Sequence, residues 1–269
     1  MPITSSSQAC VSLLARATKI ATLAGIMGLG VAPFSQAAES PEAEQCPPAA
    51  YAMALRYQQQ SAEVAALQRQ SYALATRQLE TLLASRDDEK PPAIMTDLDE
   101  TVIDNSALLV RDLKACHDFT GWDTWKAWER DGKPALIPGA REFLELAASR
   151  DVAIYYVSDR YEENKDATVA TLKALGLPGV DDSHVRLLGP SKSVRRDAIA
   201  KDHDIVMQLG DSLHDFAGDF SDKTPEQQKA LVAEQAQHFG KDWIMLPNSS
   251  YGSWSEAALT AWDKPFSDR

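Results

Sequence analysis

Two hydrophobic rhythms divide the chain. Across residues 49–85 there is no glycine or proline, and good helix formers dominate. Apolar side chains at Leu55, Leu67, Tyr72, Leu74, Leu79, Leu82 and Leu83 fit one or two amphipathic helices. The glutamines beside them, Gln58, Gln59, Gln60, Gln68 and Gln70, read as a solvated face. Charges and two prolines in residues 86–92 end the stretch. Beyond Pro92 the rhythm changes to short apolar runs at residues 93–95, 152–157, 185–188, 205–209 and 243–246. Each suits a strand buried on both faces of a parallel sheet. Helix-like stretches at 139–150, 162–175, 192–201 and 225–240 lie between them. This alternation predicts an α/β fold, a doubly wound parallel sheet preceded by N-terminal helices. Residues 120–133, rich in tryptophan and charge, interrupt it and predict a small helical insertion after the first strand, placed to cover a site.

The first 37 residues follow neither rhythm. Residues 1–19 carry Arg16 and Lys19 and no acidic group, and residues 20–32 are uncharged and mostly small or apolar. Pro33-Phe34-Ser35-Gln36-Ala37 then supplies a small-x-small cleavage pattern. That order predicts a secretory signal peptide over residues 1–37, cut after Ala37, with a cut after Ala38 the alternative. Residues 38–48 read as a flexible start to the mature chain. No twin-arginine pair is present, which points to the general secretion route. Cys10 precedes the apolar run and Cys46 follows Glu44-Gln45, so neither reads as a lipid-anchor site. The expected location is periplasmic or secreted.

Composition narrows the function classes. At 269 residues, with 44% hydrophobic and 25% charged residues, the chain can bury a substantial core. No segment after Pro41 offers the long uncharged run that a membrane span needs. Loss of the signal removes two basic residues and shifts the net charge from −12 to −14. So acidic a body repels a nucleic-acid polymer, while small anions can still enter a locally basic pocket. Cys46 and Cys116 remain in the mature chain, and a disulfide or two free thiols are both open.

In an open parallel sheet the ligand sits beyond the carboxyl ends of the strands. The residues just after the apolar runs are Asp97-Leu98-Asp99-Glu100-Thr101, then Ser158-Asp159-Arg160, then Lys192, then Gly210-Asp211-Ser212-Leu213-His214-Asp215. Phosphoryl transfer needs an in-line nucleophile and positive charge around three equatorial oxygens. Asp97, first after its strand, is the candidate nucleophile, a carboxylate able to form an aspartyl-phosphate. Asp99, two residues on, is placed to protonate the leaving oxygen and then activate water. His117, His184, His203 and His214 are scattered, and no Cys/His spacing suggests zinc.

The four motifs in this order resemble those of the haloacid dehalogenase superfamily. The extended run Asp97-Leu98-Asp99-Glu100-Thr101-Val102-Ile103-Asp104-Asn105-Ser106 is similar to the first motif of its class C bacterial acid phosphatases, the lipoprotein e family. Ile137-Pro138-Gly139-Ala140, Tyr156-Val157-Ser158, Lys192-Ser193, Gly210-Asp211, Leu246-Pro247-Asn248 and Tyr251-Gly252-Ser253-Trp254 match it in the same order. The resemblance implies a haloacid dehalogenase-like acid phosphatase domain over residues 49–269, with a helical part at 49–86 and an α/β core at 92–260. It implies Mg²⁺ held by Asp97, the Asp99 backbone carbonyl and Asp211, with Asp215 in support. It also implies phosphoryl binding by Ser158 and Lys192, and an aromatic pair, Trp125 and Tyr251, around the leaving group's ring. Trp122 and Trp254 read as packing. Asp159 departs from the family's common Asn, and either weakens phosphate binding or pairs with Arg160.

The resulting expectation is Mg²⁺-dependent hydrolysis of small phosphomonoesters, nucleoside 5′-monophosphates and aryl phosphates among them, at acidic pH. A dedicated phosphatase for another exported metabolite is the alternative. An inactive binding or storage protein on the same fold would be expected to lack the first Asp, and Asp97 is present. The residues leave monomer and homodimer open.

Overall fold

The computed structural model describes Cys46 and residues 51–87, 89–118, 121–255 and 257–264. The signal peptide and the linker over residues 38–48 lie outside these, Cys46 excepted.

Helices α1 (Ala52–Gln60) and α2 (Ala62–Ala84) form the N-terminal part. They are separated by Ser61, whose extended backbone breaks the helix and whose hydroxyl accepts the Val64 N–H at 3.1 Å as an N-cap. Helix α2 lays Tyr72, Ala75 and Leu79 into the main core. The glutamine face is not uniformly solvated, as the pattern predicted. Gln58 and Gln68 are buried, and Gln58 donates to the Pro247 carbonyl at 3.3 Å and accepts the Ser249 N–H at 3.1 Å. A glutamine satisfied on both ends of its amide can be buried at little cost, and here it pins the C-terminal segment to α1. Leu67, expected inside, is exposed.

The sheet follows the predicted runs. Strands β1 (Pro92–Thr96), β4 (Ala153–Val157), β5 (Val185–Arg186), β6 (Asp204–Gly210) and β7 (Trp243–Met245) are all parallel, in the order β5-β4-β1-β6-β7. A short antiparallel pair, β2 (Ile103–Asp104) with β3 (Ala135–Leu136), stands apart. Alternate residues of β1 and β4 go to opposite faces. Ile94, Ile154 and Tyr156 join α2 and α5 (Ala140–Ser149), while Ala93, Met95, Tyr155 and Val157 meet Ile199 of α7 (Lys192–Ile199). Burial on both faces explains why the strands read as unbroken apolar runs.

The chain leaves β1 toward β4 and β5, then returns to β6 and β7 on the other side. The switch point therefore falls between β1 and β6, where a crevice opens at the strand ends. Helices α3 (Ser106–Lys114) and α4 (Asp123–Asp131) sit between β2 and β3; α4 falls in the insertion expected over residues 120–133, and α3 extends it toward the first strand. Cys46 and Cys116 form a disulfide, with Cα atoms 5.4 Å apart, tying the segment before α1 to the turn after α3. Among the described residues no helix is long and apolar enough to cross a membrane.

Candidate active site

The loop after β1 is wound around one carbonyl. The Leu98 C=O accepts the N–H groups of Thr101, Val102 and Ile103, at 3.3, 2.8 and 2.9 Å. Closing so tight a loop puts Glu100 at φ 57°, in the left-handed region that non-glycine residues rarely occupy. The strain is held by over-determined contacts. The buried Glu100 carboxylate accepts the Asn105 N–H at 2.8 Å and the Tyr251 hydroxyl, and the Tyr72 hydroxyl donates to the Thr101 carbonyl at 2.7 Å. Burial and the neighbouring Asp99 push the Glu100 carboxyl up to about 8, against the pull of those two bonds.

Asp97 sits at the floor of a cavity of about 1240 Å³, 7% exposed. The Asp97 N–H is bonded to the Leu209 carbonyl of β6 at 3.0 Å, so the sheet itself fixes its position. Lys192, at the first position of α7, donates from Nζ to Asp97 Oδ1 at 2.5 Å and to Asp215 Oδ1 at 2.6 Å. Two of its three donors are thus used, and among the described residues no hydrogen bond takes the third, which can serve another oxygen. Burial opposes the charged amine, but Asp215 and Asp97 outweigh it and raise the Lys192 pKa.

Asp97, Asp211 and Asp215 each present one oxygen, and these lie within 4.8 Å of one another. Burial pushes the Asp97 carboxyl well up, with Lys192 pulling it down and the Asp215, Asp211 and Asp99 charges pushing it further up. Asp211 is pushed up to about 8, first by burial and then by Asp215. Carboxylates so crowded ionise together only when another positive charge joins Lys192. An all-oxygen set of this kind suits a hard divalent cation. Asp211 is steered by Thr101 Oγ1 at 3.2 Å and Asn248 Nδ2 at 2.7 Å, and Asp215 by the Ser212 N–H at 2.9 Å. Gly210 is required here because a Cβ would lie 2.4 Å from the Asp215 side chain.

Asp99 is clasped from the opposite wall. Arg160 donates Nη2 to its Oδ1 at 2.8 Å and Nε to both its oxygens at 3.0 and 3.1 Å. Ser158 Oγ donates to Oδ2 at 3.0 Å, and Asn105 Nδ2 to Oδ1 at 2.8 Å. Arg160 therefore belongs to Asp99 and not to Asp159, which corrects that alternative. Asp159 pairs with Arg195 and lies 3.7 Å from His214 Nε2. Burial disfavours its charge, yet His214, Lys192 and Arg195 outweigh it and hold the Asp159 carboxyl below the usual range. Arg195 in turn donates to the carbonyls of Ser158 (2.7 Å), Leu187 (2.9 Å) and Arg186 (3.1 Å), so Asp159 is the counter-ion of a buried arginine that anchors the Ser158 loop. The opposition of two roles for Asp159 came from reading it beside its sequence neighbour.

The aromatic wall also differs in detail from expectation. Trp125 and Tyr251 meet edge to face, with centroids 5.7 Å apart and planes at 86°, so their faces do not stand parallel across a gap. Trp125 is 5% exposed. Trp122 lies 5.3 Å from each of them, is 42% exposed and faces the same cavity. The residue read as packing is the most open of the three. It stands at the N-cap position of α4 with φ 60°, a second bulky residue in the left-handed region, and makes no side-chain capping bond there. Trp254 also lines the cavity, its indole folded over Gly252.

All eight residues named from the sequence (Asp97, Asp99, Trp125, Ser158, Lys192, Asp211, Asp215 and Tyr251) line this one cavity. Glu100, Asn105 and Arg195 were not assigned roles beforehand, and Arg160 only as the alternative partner of Asp159. Asn105 and Glu100 lay inside the quoted first motif, and Arg160 directly after Ser158, so position relative to the strand ends was the available signal.

Acidic groups, a fixed cation and polar donors converging at a sheet switch point define a phosphoryl-transfer enzyme. The family model of the HAD superfamily, subfamily IIIB (acid phosphatase), matches residues 31–254, and the chain belongs to that family. It is similar to the class C acid phosphatase from Bacillus anthracis, at 34% identity and a TM-score of 0.74, covering 78% of this chain and 88% of that one. The structure of that enzyme with tungstate bound matches at 33% identity and a TM-score of 0.75, over 81% and 94% of the two chains. The protein is thus an enzyme, a phosphatase of the acid phosphatase class.

Proposed function

We propose that this phosphatase hydrolyses small exported phosphomonoesters, nucleoside 5′-monophosphates and aryl phosphates among them, through an aspartyl-phosphate on Asp97. The observation that carries the reading is the division of labour between two carboxylates in one cavity. Asp97 is tied to Lys192 and the aspartate trio, whereas Asp99 is tied to Arg160 and Ser158.

In the first step an Asp97 oxygen attacks phosphorus and the ester P–O bond breaks, with Asp99 giving its proton to the departing oxygen. In the second, Asp99 takes a proton from water as that water attacks phosphorus. The Asp97–phosphorus bond breaks and inorganic phosphate leaves. The third Lys192 donor serves the phosphoryl oxygens, and the Ser158 hydroxyl, whose one proton goes to Asp99 here, turns it to them when the substrate is bound. Binding of the tetrahedral oxyanion tungstate by the Bacillus anthracis enzyme supports a pocket of this shape here. Asp97, Asp211 and Asp215 would hold Mg²⁺, with the Asp99 carbonyl completing the set. When bound, the ion supplies positive charge that lets Asp97 act as a nucleophile beside a dianion.

An oxidising, periplasmic or secreted location is supported by the Cys46–Cys116 disulfide. The test of the whole reading is a panel of phosphomonoesters assayed at acidic pH before and after exhaustive chelation. Activity should vanish with EDTA and return with Mg²⁺. Full activity after complete metal removal would rule the reading out.

A further inference from the structure

Glu129 is a buried carboxylate that the phosphatase chemistry leaves unused. It lies one turn beyond Trp125 on α4, is 3% exposed and lines the catalytic cavity. Its Oε2 accepts the Tyr161 N–H at 3.1 Å and Asn164 Nδ2 at 2.8 Å. Its Oε1 takes no hydrogen bond among the described residues. Burial pushes the Glu129 carboxyl up, while Asn164, Arg160 and Tyr161 pull it down. Oε1 is not sealed in the interior, and its residue lines the cavity, so a carboxylate oxygen stands open to a pocket for dianions, which calls for a reason.

The order of groups along the cavity wall supplies one. Trp122 and Trp125 stand at the N-terminal end of α4, and the next turn presents Glu129. Tyr161 and Asn164, which hold Glu129, follow directly on Arg160, which clasps Asp99. Glu129 is thus linked on one side to the tryptophans and on the other to the Asp99 clasp, along the wall that a molecule spanning the two would follow. Each helical turn advances about 5.4 Å, roughly the width of one sugar ring. A charged acceptor at that place suits O–H donors and repels a second anionic group.

We infer that Glu129 Oε1 accepts a hydrogen bond from a hydroxyl of the leaving group, selecting phosphomonoesters in which a hydroxylated sugar separates the ester oxygen from a flat ring. Glu129 is then a specificity-determining residue for this site, and the inference rests on the phosphatase reading above.

The test compares kcat/KM for a nucleoside 5′-monophosphate with that for its 2′,3′-dideoxy counterpart, which keeps the ring and the phosphate. The wild-type enzyme should prefer the hydroxylated substrate by about tenfold or more, the scale of a lost charge-assisted hydrogen bond. In Glu129→Gln the amide oxygen can still serve Tyr161 and Asn164, but the cavity receives a neutral donor. The preference should shrink to within about threefold, because charge assistance roughly doubles such a bond. The ratio is internal to each enzyme, so a general loss of activity in the variant cancels, and the wild-type comparison needs no variant at all. A wild-type ratio near one, or an undiminished ratio in Glu129→Gln, would overturn the inference while leaving the phosphatase intact. Phenyl phosphate, which has no sugar, separates the two readings: if the wild type hydrolyses neither it nor the nucleotides, the phosphatase reading falls and takes this one with it.

Discussion

The floor of the cavity and its rim are built in opposite ways. On the floor, Asp97 and Asp211 are placed by backbone bonds at the ends of two central strands, and the register from Ile94↔Met207 to Thr96↔Leu209, regular after a shift at Ala93, sets their separation. On the rim, Trp122, Trp125, Glu129 and Tyr251 come from an inserted helix and the chain after β7, joined by side-chain contacts: ring edges on ring faces, and a Tyr251 hydroxyl on Glu100. The rim can vary in sequence without moving the nucleophile, which is how one fold serves many leaving groups.

Substitutions can break that comparison, and the largest effect belongs on the floor. Asp97→Asn should fold normally and lose at least about a thousandfold in kcat, because the amide is a poor nucleophile and such losses are typical of nucleophile removal. If circular dichroism matched wild type and even a tenth of the turnover survived, the floor would not be where the chemistry lies. Asp99→Asn comes next. It should cost roughly 10²- to 10⁴-fold in kcat, the range for general acid–base help. Poor leaving groups should suffer more than p-nitrophenolate, which needs little protonation, and an equal loss for both would argue against the proton-transfer role.

Rim substitutions should act on specificity. Replacing Trp125 or the exposed Trp122 with Ala should lower kcat/KM for a nucleoside monophosphate by about tenfold to a hundredfold, since stacking is worth roughly 1–3 kcal/mol per ring. A simple alkyl phosphate should lose less than about threefold on the same argument. Comparable losses on both substrates would make these rings part of the scaffold and erase the distinction between floor and rim.

The smallest effect on turnover is expected farthest out. Replacing Cys46 and Cys116 with Ser should leave kcat for an alkyl phosphate within about twofold, since the bridge touches no reacting atom, while lowering stability by about 4 kcal/mol for a loop of 70 residues. Calorimetry should show that loss as a fall of about 10 °C in Tm. An unchanged Tm would mean the bridge holds nothing that α1 and α3 do not hold already.

The same contrast explains what could be read from the chain alone. The five strands were visible because a sheet buried on both faces leaves uninterrupted apolar runs, and the aspartates that line the cavity followed because ligands gather where such runs end. Gln58 was misread because its burial depends on the Pro247 carbonyl and the Ser249 N–H, partners 189 and 191 residues away. Asp159 was ambiguous because its partner, Arg195, lies 36 residues on, while Arg160 next door is taken by Asp99. Glu129 gave no signal in a segment where charge is expected on a surface helix. Its burial comes from Tyr161 and Asn164, brought across by the return of the chain after β4.

The central claim is covalent: phosphate passes through Asp97. Rapid acid quenching of the enzyme during turnover, followed by peptide mass spectrometry, tests it directly. The account predicts one phosphate on the peptide containing Asp97, lost on treatment with hydroxylamine and absent from Asp97→Asn. A phosphate carried by His214 instead, or none trapped from an enzyme shown to exchange phosphate with its products, would contradict it.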